Sequence, residues 1–412
     1  MTILSALYTG VSGLNSNGAW LSVIGDNIAN VNTIGFKGST MSFGDIMSQT
    51  LTGSSGSGQI GRGVSVEAVS PVFSQGTFEN TSSGLDLAID GDGFFIVNAS
   101  GTRAYSRAGS FSLDENGYIV NPQGAILQGY VADATGNLGA LGDLNLLTAT
   151  GDASATTTAG VSVNLNAEDT ATTWAFATGA NLPAAGTYNE STSTTVYDSL
   201  GAAHQVNIYY CKTADNTWTA HYVYQLDNGN YTEAGTQAMT FSTSGALTSA
   251  ATTTLGFTWG GGAAAGSIEF NATGTTQYAA DFSVNSLTQN GYASGDLSSI
   301  SIGDDGMITG TFSNGQTRTL GQVALARFTA PTELTKLGNN LYAESSASGT
   351  PVVGAPETSG LGRTLSSSLE LSTVDLAEQF TQLITAQRGF QANTKIITTT
   401  DDLLNLLISI KQ

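Results

Sequence analysis

Apolar residues recur at every seventh position at both ends of this chain. They are Leu7, Leu14, Leu21 and Ile28 near the start, and Leu369, Leu376, Leu383, Phe390, Ile397 and Leu404 near the finish. A helix turns about 100° per residue, so this spacing draws a single, slowly drifting stripe along one face. Both ends, 1–32 and 364–412, are therefore predicted to be long helices with coiled-coil-like seams. Ile3, Val11, Ile24 and Val31 widen the first stripe. Gly10, Gly13, Gly18 and Gly25 each weaken that helix by about 1 kcal/mol relative to Ala, yet they let a neighbouring backbone come close. In the second helix Ile396, Ile397, Thr398, Thr399 and Thr400 are all β-branched, and Asp401 and Asp402 offer a fresh N-cap. A bend or break near Thr400 is thus allowed. Unbroken, residues 366–410 would span on the order of 65 Å. No small domain buries that length, and the polar face carries few charges, so the stripe is expected to be covered by helices of other copies.

Between the ends the period changes to two. Val64, Val66 and Val69 open a series of short alternating runs separated by Gly, Asn and Asp. Phe111 to Leu113, Asp114 to Gly117 and Tyr118 to Val120 read as strand, turn and strand. Residues 206–212 and 222–226 read as strands flanking a turn at Asp215 and Asn216. The composition shifts near residue 133, becomes rich in Thr, Ala and Gly over 150–280, and shifts back near Phe282. The expected fold class is mainly β with long α-helical termini, a nested and elongated multidomain subunit. Residues 1–32 and 364–412 would form a helical polymerisation domain. Residues 33–70 and 345–363 would be Ser/Gly-rich linkers, with Gly53 to Gly58 a mobile loop. Residues 71–145 and 282–344 would make a β-rich middle domain, and 146–281 an inserted β-rich outer domain.

Charge narrows the function classes. The chain has 412 residues, 12 basic against 32 acidic, for a net charge of −20. Nucleic acid and anionic membranes both require the basic residues that are scarce here, so neither is an expected partner. With one cysteine, Cys211, there is no intrachain disulfide. No apolar run approaches the roughly 20 residues that cross a bilayer. A cleavable signal peptide is also missing, so the chain is expected to be soluble and to leave the cell, if it does, by another route.

The motifs at both ends resemble those of bacterial flagellar rod and hook proteins, an axial family. The N-terminal signature is carried by Ser12 to Leu14 and by Ile24 through Asn27, Asn30, Asn32, Gly35 and Phe36 to Lys37. Gly91 to Val97, Ser106 to Phe111, Asp114 to Gly117 and Gly124 to Gly129 are similar to the family's middle blocks. Gly321 to Phe328, Leu337 to Tyr342, Gln391 to Lys395 and Leu403 to Ile408 are similar to its closing blocks. The resemblance covers about 1–135 and 285–412 and gives out between them. A long middle insertion is present, as in the family's longer members, and beyond it Asp305 to Ile308 and Phe312 to Gln316 resemble the hook proteins in particular. This implies a structural subunit that polymerises with itself into a curved, hollow, flexible tube, a universal joint passing torque from rod to filament. Implied partners are the distal rod protein, the hook–filament junction protein, the hook cap or scaffold, and the flagellar type III export apparatus. The implied location is extracellular, in the flagellum, after export without a cleaved signal. Some members are crosslinked through Cys and Lys, and Lys212 stands next to Cys211.

No enzyme is expected, and no cofactor or metal. His204 and His221 read as sheet residues. The Asp90 to Gly93 and Asp304 to Gly306 runs lack the spacing of a calcium loop and read as turns. Arg103 and Arg107 read as hairpin-surface or subunit-contact residues. Two alternatives stay open: a secreted β-rich adhesin or glycan-binding module using Trp174, Trp218 and Trp259 as stacking platforms, and another axial protein of the distal rod or junction.

Overall fold

The computed structural model describes residues 3–410 apart from 48, 54–55, 134, 147–150 and 180. It is mostly β with a helix at each end: α1 is Ile3–Ala29 and α2 is Leu376–Ile410. The chain divides into two compact units. One comprises Met1–Ala149, Ser299–Gly310 and Thr317–Gln412; the other comprises Thr150–Ser298 and Thr311–Gln316.

In the first unit α1 and α2 run antiparallel against each other. A Cβ built on Gly10 would stand 3.1 Å from Ile397, one on Gly13 2.7 Å from Asn393, and one on Gly389 2.7 Å from Asn17. The strands of this unit hold a core of Phe94, Ile96, Tyr105, Ala324, Ala326, Phe328, Leu334 and Tyr342. Alternation explains which residues point inward, since successive strand side chains take opposite faces. The hairpin expected at 111–120 forms from strands Ser112–Leu113 and Ile119–Val120. Asp114 Oδ1 closes its turn by accepting from Asn116 N and Tyr118 N at 3.0 and 2.7 Å.

Several expectations are corrected here. Residues 33–70 are not a linker. Strands Ser39–Asp45 and Val64–Pro71 pair as an antiparallel ribbon, and Gln49–Gly53 pairs with Gly56–Ile60 where a mobile loop was expected. Ser54 and Ser55 of that loop lie outside the described residues. The ribbon has a side to lie on: Phe43 packs edge-on to Trp20 of α1 at 5.7 Å, and Ser12 Oγ accepts from Val64 N at 3.3 Å. Residues 345–363 are tied down too, because Val352–Gly354 pairs with Leu325–Arg327. The run 322–328 is two strands, Thr317–Val323 and Leu325–Arg327, interrupted at Ala324.

The second helix begins about ten residues later than its periodicity predicts. Arg363–Ser366 pairs with Leu87–Asp90, and Ser368–Glu370 with Phe78–Asn80, so Leu369 belongs to a strand. Asp375 then caps the helix, its Oδ1 accepting from Ala377 N and Glu378 N at 2.7 and 3.2 Å. That use of a short acidic side chain satisfies amides that would otherwise be orphaned. From there α2 runs 35 residues without a break at Thr400. The threonine hydroxyls fold back onto the helix: Thr398 and Thr399 donate to Lys395 O at 3.0 and 2.9 Å, and Thr400 to Ile396 O at 2.7 Å.

The second unit has a four-stranded antiparallel sheet, in sequence order Glu190–Tyr197, Ala203–Ala214, Thr217–Gln225 and Tyr231–Thr240. A second sheet is built around Thr158–Asn166. Strand Ser283–Gln289 pairs with Thr158–Asn166 over six positions, so a boundary at 281/282 cuts a strand away from its sheet. Between the sheets lie Trp218, Tyr222, Phe257 and Phe270, and Trp218 Nε1 donates to Gln277 Oε1 at 3.2 Å. The tryptophans are not platforms. Trp218 and Trp259 are buried, and Trp174 stacks on His221 at 4.1 Å.

Candidate functional site

Two features of the first unit single themselves out: the helix pair and the polar clasp at its base. In α2 the side chains turned toward α1 fall into two rows. Leu383, Phe390, Ile397 and Leu404, the stripe read from the sequence, are half-buried. Beside them run Gln379, Ala386, Asn393 and Thr400, also spaced by seven, of which all but Asn393 are buried. In α1 the buried positions are Gly10, Gly13, Ser16, Ile24 and Asn27, while Leu7, Leu14, Leu21 and Ile28 are half-buried. Small and polar residues thus occupy the closest contacts, and the apolar stripes flank them. Hydropathy alone misses that inner row because Gly, Ala, Asn and Thr carry little apolar signal.

Leu376, the first helical member of the stripe, is 41% exposed, and Leu369 sits on its strand half-buried. Another set of apolar residues lies open on the helix pair. Phe380, Ile384, Ile396, Leu403, Leu406 and Ile408 of α2 are all exposed, as are Tyr8 and Val11 of α1. Large apolar residues gathered on one element without cover mark an interaction surface.

The N-terminal motif builds the clasp. After Ala29 the chain turns through Asn30, which donates to Asp26 O at 2.9 Å and accepts from Thr33 Oγ1 at 3.1 Å. Asn32 is exposed in this turn. Asn27 is buried and works on both sides: its Oδ1 accepts from Ser39 N at 2.8 Å, and its Nδ2 donates to Ser39 O and to Gln379 Oε1 at 2.9 and 3.0 Å. One amide therefore joins α1, the ribbon and α2. Gly35 has φ +68°, and a Cβ there would stand 2.6 Å from Ala108 N. Only glycine meets both demands. Its N–H donates to Glu370 O at 2.7 Å, and Phe36 is buried beside it with Lys336 Nζ 5.9 Å from its ring.

Lys37 and Glu370 are the centre. Lys37 Nζ donates to Glu370 Oε1 at 2.6 Å and to Ser74 O at 2.6 Å. The same carboxylate oxygen accepts from Gln75 Nε2 and Gly76 N, both at 2.8 Å, and Arg107 Nη1 approaches Oε2 at 3.4 Å. Lys37 is 1% exposed, Glu370 0% and Arg107 5%. Burial lowers the pKa of Lys37, and Glu370 opposes this. Arg107 is lowered for the same first reason, with Glu370 and Asp92 opposing. The predicted helix 364–412 takes in Glu370, and Arg107 reads as a hairpin-surface or subunit-contact residue, so nothing local signals that they meet. Arg103 does lie on the surface, its Nε donating to Gln128 Oε1 at 3.2 Å.

In the second unit the chemistry-bearing residues have structural duties. His204 bonds Asp198 at 2.9 Å and stacks on Trp259; His221 bonds Glu233 at 2.6 Å. Cys211 is buried, its thiol donating to Thr187 O at 3.5 Å, and burial pushes it up to about 11. Lys212 turns to the opposite face of the strand and donates to Ala167 O and Asp169 O at 2.6 and 2.7 Å. Their adjacency in sequence does not bring sulfur and amine together. In the first unit Asp90 is held by Arg363 at 2.9 Å.

Known proteins match this architecture along its length. Family models match over 7–37 (flagella basal body rod protein), 88–172 (flagellar hook protein FlgE/F/G D1 domain), 164–292 (flagellar basal body protein FlaE D2 domain) and 365–410 (flagellar basal body rod FlgEFG protein C-terminal). The 88–172 and 164–292 matches together cover the stretch where the residue-by-residue resemblance gives out. The flagellar hook protein FlgE of Salmonella typhimurium is 38% identical over 97% of this chain and 98% of its own length. That of Brucella suis is 33% identical over 100% of both, and that of Borreliella burgdorferi 34% identical over 99% of this chain and 100% of its own.

Proposed function

We propose, for a chain that belongs to the flagellar hook protein family, that the paired terminal helices are the surface on which its copies assemble. The chain is a structural subunit of the bacterial flagellar hook. In this reading the helix pair extends as a coiled-coil-like seam into neighbouring subunits and lines a hollow tube, with the β-rich parts of the subunit nested outside it. The half-buried stripe of Leu7, Leu14, Leu21, Ile28, Leu383, Phe390, Ile397 and Leu404 holds α1 to α2 and is completed by other copies. The open residues Phe380, Ile384, Leu403 and Leu406 are the new contact. Identical subunits joined head to tail give an open helical polymer when the rotation does not close. Bending follows if the outer, Thr- and Ser-rich surfaces exchange hydrogen bonds with neighbours at low net cost while the apolar interior stays closed.

The observation that carries this is the uncovered apolar surface, with Phe380 50% and Ile384 52% exposed. Torque transmission as a universal joint, passage through the type III export apparatus, an extracellular position, and contacts with the distal rod, the junction and the cap complete the reading. It assigns no catalysis.

Phe380→Glu with Ile384→Glu is the test. Monomer stability should change by no more than about 0.5 kcal/mol, as for other exposed sites. Electron microscopy should show no curved tubes. Normal tubes from this double variant would overturn the assignment of the surface.

A further inference from the structure

A cleft of about 360 Å³ lies in the first unit, beside the clasp but open to the outside. Phe73, Phe94 and Phe328 wall it, with Phe94 edge-on to Phe73 at 5.3 Å and to Phe328 at 6.0 Å. Arg107, Arg327 and Asp92 supply its charges. Arg107 stands over the Phe94 ring at 5.4 Å, and its Nε is buried without an acceptor. The other guanidinium nitrogens of Arg107 are committed: Nη1 to Ile89 O and Glu370 Oε2 at 3.4 Å each, Nη2 to Gly91 O at 2.8 Å. Arg327 is exposed, lies against Gly360, and has no ion pair among the described residues.

We propose that this cleft receives a carboxylate side chain from a second copy of the chain, seated on Arg327 with its methylenes against the phenylalanine rings. A guanidinium is a planar fork that matches a carboxylate, and apolar walls strengthen the pair by excluding water. Charge complementarity names the occupant: a chain with 32 acidic and 12 basic residues offers its copies carboxylates in excess and few cations to receive them. The proposal rests on the hook-subunit reading, because it requires copies to meet.

Full-length protein is assembled in vitro and the critical concentration for tube formation is read by sedimentation. Losing a charge-assisted contact should raise it about five- to tenfold in Arg327→Gln. Arg327→Glu should raise it further, and Arg327→Lys should recover most of the loss. Sodium phenylacetate, a free carboxylate with an aromatic body, should inhibit wild-type assembly and leave the Arg327→Gln variant unaffected. Arg327→Glu assembling at the wild-type concentration would overturn the proposal. If phenylacetate bound monomer in an Arg327-dependent way but left wild-type assembly unaffected, the cleft would be a small-molecule site and the second-copy occupant would be wrong. Failure of the wild type itself to form tubes would sink the self-assembly reading and this proposal with it. Because Arg327 is exposed, hydrogen exchange of the variants should match wild type and separate these outcomes from misfolding.

Discussion

In the second unit the largest side chains are sealed. Trp218, Phe257 and Phe270 are at most 1% exposed, Phe257 is stacked on Trp259 and edge-on to Tyr224, and the tryptophan N–H of Trp218 has its acceptor. The helix pair of the first unit is put together differently. Its closest contacts are Gly, Ala, Asn and Thr, its base is an ion-paired clasp, and its leucines and isoleucines, Ile24 apart, remain half-covered or open. A sealed aromatic core is complete within one chain. A helix pair held by small residues, with apolar flanks exposed, has burial still to gain from a neighbour. The same subunit therefore carries a finished part and an unfinished part, and a polymer needs both.

Removing the centre of each part gives the largest expected effects, and in different places. Trp218→Ala should cost about 3–5 kcal/mol by transfer and cavity terms together. Glu370→Gln should cost a similar amount, about 3–5 kcal/mol, because it leaves Lys37 and Arg107 buried around a group that no longer carries charge. Hydrogen exchange in the full chain separates them. The first substitution should deprotect Thr217–Gln225 and spare Phe94–Ala99, and the second should do the reverse. If either variant lowered protection equally in both segments, the contrast drawn between the units would be wrong.

Alkaline pH sharpens the same contrast at intermediate size. Cys211 is shifted from 9.0 to about 11, and Tyr209, Tyr210 and Tyr222 are also raised, chiefly by burial. A folded group that holds its proton above the unfolded value stabilises fully below that value, and this is lost as pH rises through the folded one. Cys211 alone should account for about 2–3 kcal/mol lost between pH 9 and pH 11. In the first unit Tyr342, raised to about 12, and Tyr105 act in the same direction. Lys37 opposes them: its folded pKa is lowered, so the unfolded chain binds more protons there and stability rises with pH. The second unit should accordingly lose stability more steeply over this range. Cys211→Ala should flatten its slope, measured by denaturant titration at each pH. An unchanged slope would remove the thiol from the account.

What could be read from the residues alone follows the range of the interactions. Helices, hairpins and the Asp215–Asn216 turn announce themselves within a few residues through period and turn chemistry. Leu369 misled because its spacing from Leu376 satisfies a helix, whereas its backbone pairs with Glu79, far back in the chain. Strand pairing at that distance has no local signature. Lys37 and Glu370 were invisible as a pair for the same reason, since the contact joins residues 333 positions apart. The Ser/Gly-rich ribbon at 39–71 looked like a linker because composition reports on chain flexibility and says nothing of the α1 face that orders it. Within the helices, the apolar stripes were legible, but the row of small residues between them was not.

That row can be tested by the smallest change available, one methyl group, placed at two glycines of α1. Gly25 has nothing within 4 Å of where a Cβ would stand, so Gly25→Ala should simply improve helix propensity, by about 0.5–1 kcal/mol. At Gly13 the same methyl would stand 2.7 Å from the Asn393 amide, itself bonded back to Gly389 O at 3.0 Å. There the propensity gain meets a displaced side chain in a close contact, and overpacking typically costs about 1–3 kcal/mol. Gly13→Ala should therefore be neutral to destabilising where Gly25→Ala stabilises, as read by thermal unfolding of the monomer followed at Trp20, with Trp174, Trp218 and Trp259 replaced by Phe in the background. The sign is what decides. If both substitutions stabilised equally, Gly13 would be a weak point in a helix like any other, and the close approach of α1 to α2 would not be what places it there.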